Sequence, residues 1–266
     1  MSALLARLFD DAALLPPERA PVQEALPTYR EAVRDPIAGR LLCPASRFAE
    51  LRTHLVPEDL LDLVLVADTG IDELPKALDA VRAEPRVRPC ALQVAVPEDA
   101  DQARAVAVTI ARLPSEVPAR IGVRPSPGWR DALDRIAAAR DHGAPLGAGT
   151  SAVSAAFISA CAERDLRFTC ADGTGHAVRH ASGHGFLNVL LATAHAAAGE
   201  RDIRPTLERT GAASLAAEVR ALPDDAARAA RRLLVAFSVR DLGASRTDLR
   251  RLGLIGTPGT GEDTSS

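Results

Sequence analysis

Three histidines stand close together in the second half of the chain, beside an aspartate and an arginine. They are His176, His180 and His184, with Asp172 before them and Arg179 among them. Imidazoles and carboxylates transfer protons readily, and histidine titrates at about pH 6.5 when nothing perturbs it. We therefore predict catalytic acid/base roles for Asp172, His176 and His180.

The same histidines are also candidate metal ligands. If residues 177–179 are helical, His176 and His180 lie on one helix face at a spacing that can ligate one divalent cation, and His184 is a third candidate ligand. The chain lacks an HExxH motif, which would make the assignment specific. A divalent metal therefore stays an open alternative, and no other cofactor is expected from this segment.

Elements of alternating type must position these residues. Short apolar segments rich in branched residues alternate with segments of helical periodicity, which predicts repeated βα units. The strands are predicted at Ala6–Asp10, Arg40–Pro44, Leu63–Asp68, Cys90–Val96, Ala119–Arg124, Ala144–Gly147, Leu166–Asp172 and Leu234–Arg240. Eight such units in a chain of about 250 residues predict a single-domain (β/α)8 barrel of the TIM type. A helical insertion is expected between strands 7 and 8, over Gly185–Ala198, Thr206–Leu222 and Asp224–Arg232.

Barrels of this type build their active sites at the carboxyl ends of the strands. Asp10 ends the first predicted strand and joins Asp172, His176 and His180 as a candidate catalytic residue. The candidate substrate-binding residues offer charge, hydroxyl groups or backbone amides: Asp11, Ser46, Arg124, Gly173, Thr174, Gly175, Arg179, His184 and Arg240. The arginines among them indicate an anionic small-molecule substrate.

Two glycine-rich segments follow predicted strands, GAGTS at 147–151 and GTG at 173–175. Both are interpreted as tight turns between a strand and a helix, where backbone N–H groups can also bind an anion. GAGTSA matches the GxGxxA form of the dinucleotide fingerprint as well, so NAD(P) binding is a further alternative.

Composition narrows the class of protein. Hydrophobic residues make up 47% and charged residues 25% of the 266 residues, and the formal net charge is −3. This predicts a soluble domain over residues 1–254 and a disordered tail over 255–266. No basic block indicates a nucleic-acid partner, and neither a secretory signal nor a membrane span is recognisable, so a cytoplasmic location is expected. The four cysteines lack CxxC spacing and are expected to be free and buried.

Several strings of the sequence are similar to strings in known proteins. RFTCADGTGHAVRH is followed by HGFLNVLL, LFDDAALLPP stands at 8–17, and LLCPAS stands at 41–46. They resemble a family of uncharacterised bacterial barrel proteins, and the likeness covers residues 5–254. Lysines on the sixth and seventh strands of that family look like those of Schiff-base aldolases of the deoxyribose-phosphate aldolase type.

This chain departs from the family at those lysines. Aligning the strings puts Pro145 and Thr169 at the two lysine positions, and FSVRDL at 237–242 replaces another segment typical of the family. Lys76, the single lysine of the chain, falls in a predicted outer helix. The resemblance thus implies the barrel fold and the strand-end site, while the imine chemistry of an aldolase is not expected.

The sequence therefore predicts a lyase- or isomerase-like enzyme that acts on a small carbonyl or carboxylate substrate by acid/base chemistry. A non-catalytic ligand-binding or accessory barrel, a metal enzyme that uses the histidines, and an NAD(P)-binding protein are the alternatives. No nucleic acid or membrane partner is expected, and assembly into a homo-oligomer is left open.

Overall fold

The computed structural model describes residues 3–17, 19–97, 101–139, 143, 146–150, 153–171, 175–180 and 183–256. Eight parallel strands close into a barrel in the order of the sequence, which confirms the predicted (β/α)8 fold. The strands are β1 Phe9–Asp11, β2 Ala38–Pro44, β3 Leu61–Val66, β4 Val87–Ala95, β5 Ala119–Gly122, β6 Leu146–Thr150, β7 Phe168–Ala171 and β8 Leu234–Val239.

Helices alternate with the strands and cover the barrel. They are α1 Val22–Ala32, α2 Phe48–Thr53, α3 Leu74–Arg82, α4 Gln102–Arg112, α5 Trp129–Ala138, α6 Ala155–Glu163, α7 Phe186–Ala197, α8 Arg204–Glu208, α9 Ala212–Ala221, α10 Asp224–Leu233 and α11 Leu242–Arg251. Single 3-10 turns at Ala45–Arg47 and Ile71–Glu73 precede α2 and α3. Side-chain caps on Asp101, Ser154 and Asp241 begin α4, α6 and α11.

The sixth strand differs most from its predicted range. The sequence places it at Ala144–Gly147 and interprets GAGTS as the turn that follows, whereas β6 runs from Leu146 to Thr150. Gly147 and Gly149 therefore lie inside the strand, paired with Arg120 and Gly122 of β5. A strand of small residues is stable here because both of its edges are paired within the closed barrel.

The helical insertion between β7 and β8 consists of α7, α8, α9 and α10. The predicted single helix over Thr206–Leu222 is two helices, because the chain leaves the helical conformation at Arg209–Gly211. Asn188 of α7 stabilises this break by donating from Nδ2 to the carbonyls of Thr206 and Arg209, at 2.9 and 2.8 Å. Buried side chains line almost the whole of α7, which lies between the barrel and these added helices.

The barrel interior is filled unevenly. On the β1–β4 side, Ala12, Leu42, Val64 and Ala91 form an apolar cluster. The inward positions of β4–β7 carry smaller residues, and they leave a cavity at the carboxyl ends of these strands. One half of the barrel is therefore packed, and the other half is open at its mouth.

In the part of the chain that the structure describes, no helix has the length and apolarity needed to cross a bilayer. Ile255 packs against the core, and residues 257–266 of the predicted tail lie outside the described residues.

Candidate active site

The cavity at the carboxyl ends of β4–β7, which we call the mouth cavity, has a volume of about 190 Å³. Four small residues create the space: Ala95, Gly122, Gly149 and Ala171. Four polar side chains also lie along its wall: Gln93, Arg124, Thr150 and Thr169. A cavity with a cation and hydroxyl groups at this end of a barrel suits a small anionic substrate.

Arg124 is the predicted binding residue that the structure does bring to the mouth cavity. It follows β5, and its side chain is exposed at the rim. Its backbone N–H donates to Oε1 of the buried Gln102, at 3.2 Å, which fixes the start of the loop. A guanidinium held at a rim is suited to bind a carboxylate through two N–H donors.

Thr169 faces the interior of the barrel from β7 and is only 4% exposed. A Cβ atom built on Gly149 of the neighbouring strand lies 3.5 Å from its Oγ1, so the two residues share the same space. The resemblance expected from the sequence puts a lysine at this position. Here it carries a hydroxyl, and Lys76 lies exposed on α3.

Asp10 is fully buried, and its carboxylate is occupied by other groups. Oδ1 accepts from the backbone N–H of Arg40 at 2.8 Å, and Oδ2 accepts from Nη1 of Arg120 at 2.8 Å. Since β1 and β5 lie on opposite sides of the barrel, the Arg120 contact crosses the interior. These contacts give the buried carboxylate of Asp10 a structural role inside the barrel, and the catalytic role expected from the sequence stays a prediction.

Asp11 is buried at the carboxyl end of β1, and its Oδ1 accepts from the backbone N–H of Ala13 at 2.8 Å. The pKa of this carboxyl is raised to about 6, mainly by burial and also by the charges of Asp241 and Asp10, while the hydrogen bond from Ala13 lowers it. The side chain is not part of the mouth-cavity wall. Its predicted role in substrate binding therefore stays a prediction.

The imidazoles of His176 and His180 lie side by side with ring centroids 5.4 Å apart. The predicted helical turn is not what pairs them, because residues 175–178 form bends. An isolated bridge between His180 and Gly183 closes the segment. Both rings are exposed on the segment that follows β7, and neither histidine belongs to the described wall of the mouth cavity.

His184 takes a different direction from the other two histidines. Its Nδ1 lies 3.0 Å from the carbonyl oxygen of Leu207 on α8. Among the described residues, no group of three His, Cys, Asp or Glu side chains is arranged to hold a metal ion.

The segment that carries the histidines is held by its backbone. Ala177 N–H donates to Oδ2 of Asp248 at 2.9 Å, and Arg179 N–H donates to Oδ1 of Asn188 at 2.8 Å. The carbonyl of Gly175 accepts from Ser245 at 3.3 Å. The side chain of Arg179 is exposed outside the mouth-cavity wall, so these contacts position the histidines rather than bind substrate.

Two further candidates are engaged elsewhere. Ser46 donates its hydroxyl and its backbone N–H to the carboxylate of Asp68. Nη2 of Arg240 lies 3.4 Å from the carbonyl oxygen of Pro16. Neither Ser46 nor Arg240 belongs to the wall of the mouth cavity. Asp172, Gly173 and Thr174 lie outside the described residues.

The glycines of GAGTSA do not have the context that dinucleotide binding requires. In that fingerprint the glycines form a turn after the strand, whereas Gly147 and Gly149 are internal to β6. The barrel also lacks the open sheet on which the fingerprint acts. The NAD(P) interpretation therefore has no structural support.

Sequence reasoning missed Gln93 and Thr150, and it singled out Thr169 only through the resemblance. Gln93 and Thr169 lie at inward positions of β4 and β7, and Thr150 is the last residue of β6. Inspection limited to the residues after strand ends could not find Gln93 and Thr169, although the small residues Gly122 and Gly149 on neighbouring strands were a usable signal. No protein-family model, curated protein or solved structure matches this chain.

Proposed function

We propose that this chain is an enzyme that transfers protons on a small substrate carrying a carboxylate and a carbonyl group, without forming an imine. The mouth cavity carries the proposal, because the charge of Arg124 and the hydroxyl of Thr169 lie at its wall and its volume is about 190 Å³. A site of this volume selects a molecule of a few carbon atoms. The positive charge of Arg124 at its rim favours an acid.

The chemistry that fits these groups is proton abstraction next to a carbonyl. Arg124 holds the carboxylate, and a base removes a proton from the carbon beside the carbonyl while the electron pair moves to the carbonyl oxygen. A threonine hydroxyl stabilises that oxygen by donating a hydrogen bond. Return of the proton at another carbon gives isomerisation, and loss of a leaving group instead gives a lyase reaction.

The proton-transfer group is assigned to the His176 and His180 pair. Imidazoles exchange protons in both directions near neutral pH, and this pair is exposed on the segment that follows β7. Asp172 remains a predicted partner from the sequence. The cytoplasm is the expected location, with a small anionic molecule as the substrate.

The decisive experiment follows solvent exchange, because it detects proton abstraction before the full reaction is known. A panel of small oxo- and hydroxy-carboxylic acids is incubated with the protein in D₂O, and loss of C–H signals is followed by ¹H NMR. We expect exchange with at least one acid. His176→Gln should reduce the rate at least about 10²-fold, and Arg124→Gln should mainly raise KM.

Position 149 supplies a matched pair of variants. A Cβ at Gly149 meets no atom closer than 3.5 Å, so Gly149→Ala should fold and retain exchange. Gly149→Leu should occupy the mouth cavity and abolish exchange while the protein stays folded. Exchange that survives Gly149→Leu would place the reaction elsewhere, and no exchange with any acid would favour the accessory barrel.

Borohydride reduction tests separately whether an imine forms. Treatment with borohydride in the presence of an exchanging acid should leave the mass of the protein unchanged. A mass increase equal to the reduced adduct on Lys76 or on the amino terminus would contradict the proposed mechanism.

A further inference from the structure

A second cavity of about 110 Å³ lies in the amino-terminal half of the barrel, and we call it the basal cavity. The first residues of β5, β6 and β7 form part of its wall, so it lies at the opposite end from the mouth cavity. Thr169 contributes to the walls of both cavities. Three arginines line the basal cavity: Arg40, Arg120 and Arg167.

Positive charge exceeds negative charge around this cavity. The described residues of its wall include no acidic side chain. Among the described residues, Asp10 is the carboxylate in contact with these arginines, with Oδ2 at 2.8 Å from Arg120 Nη1 and 3.7 Å from Arg40 Nη1. One carboxylate therefore interacts with two guanidinium groups.

A fourth arginine adds to this excess. Arg231 is close enough to Asp10 and Arg40 to interact with both electrostatically, and burial lowers its pKa to about 10. It is therefore still protonated at neutral pH. The hydrogen bonds from its guanidinium go to backbone carbonyls, those of Leu234 at 2.7 Å and Ala6 at 3.3 Å, so no carboxylate neutralises it there.

Asp62, at the start of β3, is already paired with other cations. It accepts from Arg7 and from Nε of Arg88, the latter at 2.8 Å. Because this carboxylate is paired with two arginines, it does not offset the positive charge of the basal cavity.

Arg167 is the arginine best placed to bind a ligand there. It is exposed, and the described residues offer its guanidinium neither a hydrogen bond nor an ion pair. A Cβ atom on the neighbouring Gly147 would lie 3.0 Å from the carbonyl oxygen of Arg167 and 3.5 Å from its Cβ, so the glycine lets the two strands approach closely beside this residue.

We propose that the basal cavity binds a phosphate-type dianion, either inorganic phosphate or the phosphate group of a small metabolite. Three lining guanidinium groups and Arg231 against one carboxylate leave an excess of positive charge that a dianion neutralises better than a monoanion. Guanidinium groups also present paired N–H donors that match tetrahedral oxyanions. The site is separate from the proposed catalytic cavity, and its existence does not depend on the proposed function.

Calorimetric titration of the whole protein with inorganic phosphate, and separately with glycerol 3-phosphate, tests this site at low ionic strength. We expect saturable binding at one site per chain for at least one of the two probes, and no saturable binding of acetate. Arg167→Gln should weaken binding at least about tenfold, because it removes charge-assisted hydrogen bonds without breaking a described contact.

Arg104→Gln is the matched control, since Arg104 is an exposed arginine of α4 outside both cavities and its loss changes the net charge equally. Binding that is weakened in Arg167→Gln and unchanged in Arg104→Gln supports the site. Equal weakening in both variants, unchanged affinity in Arg167→Gln, or no binding of either probe at millimolar concentration overturns it. Binding of glycerol 3-phosphate alone would identify a metabolite headgroup, and binding of phosphate alone would identify an enclosed site for the free anion.

Cys90 gives a second measurement that needs no arginine variant. It lines the basal cavity and is half-buried, whereas the other three cysteines are fully buried. A bound dianion should slow alkylation of Cys90 by iodoacetamide, followed by mass spectrometry. An alkylation rate that does not change at phosphate concentrations saturating in the titration would place the bound ion outside the basal cavity.

Discussion

Asp11 shows at the scale of one residue how burial changes a carboxyl group. Its folded-state pKa is about 6 against an ordinary value of 3.8, so the folded protein holds this proton more tightly than the unfolded chain does. Below about pH 4 the Asp11 carboxyl is mostly protonated in both the folded and the unfolded state, so it does not lower the free energy of unfolding. Stability should fall as pH rises from 4 to 6, and above pH 6 the cost approaches about 3 kcal/mol.

Asp11→Asn should remove this cost, since an amide stays neutral and its oxygen can still accept from Ala13. We expect the variant to exceed the wild type in free energy of unfolding by up to about 3 kcal/mol at pH 7.5, with the difference vanishing near pH 3.5. Urea denaturation at both pH values measures this. Asp79→Asn, at an exposed carboxylate, should differ from wild type by less than about 1 kcal/mol. A constant Asp11→Asn effect at all pH values would refute the raised pKa.

Some site residues could be predicted from the sequence and others could not, and Asp10 shows why. Its position at the end of the first strand could be inferred from local pattern. Its partner Arg120 is 110 residues away, and nothing local in the sequence relates the two. Arg124 was found because it follows a strand directly, whereas the place of Gln93 depends on which face of β4 turns inward.

At the scale of elements, Gly185 determines how closely the histidine segment packs against the start of α7. A Cβ at this position would lie 2.4 Å from the Cα of Val178 and 2.5 Å from the carbonyl oxygen of Ala177. Both are backbone atoms, which cannot move aside as a flexible side chain can. Gly185→Ala should therefore displace the segment and destabilise the protein by about 1–3 kcal/mol.

Gly175→Ala is the matched substitution in the same segment, because no heavy atom lies within 4 Å of a Cβ there. We expect its free energy of unfolding to equal or slightly exceed that of the wild type. Chemical denaturation gives both values, and NMR signals of His176 and His180 should shift only in Gly185→Ala. Equal effects of the two substitutions would mean that the segment does not pack on Gly185.

The β6 segment explains why some elements were harder to predict than others. Its residues, LGAGT, have low strand propensity and contain two glycines, which by local rules indicate a turn. Closure of the barrel overrides that preference, because β5 and β7 supply hydrogen bonds along both edges. The same two glycines then help to open the interior, so the misread segment contributes to both cavities.

At the scale of the whole molecule, the alternation of eight apolar segments with helical segments was sufficient to predict the architecture. Periodicity identifies strands and helices, and parallel strands with helical crossovers close readily when eight are present. The unequal filling of the barrel could not be predicted in the same way. It depends on strand register, which sets Val64 beside Ala91 on one side and Gly122 beside Gly149 on the other.

The closed barrel also predicts how the protein unfolds. Cys43, Cys161 and Cys170 are completely buried on β2, α6 and β7, and burial raises the pKa of each thiol, while Cys90 is half-buried. A closed barrel has no edge strand that can detach alone, so the three buried thiols should become reactive together. In a native thiol titration we expect Cys90 to react first, and the other three to react more slowly with one common urea dependence. Different urea dependences for Cys43 and Cys170 would show instead that the packed and open halves of the barrel unfold separately, with the hollow half the less stable of the two.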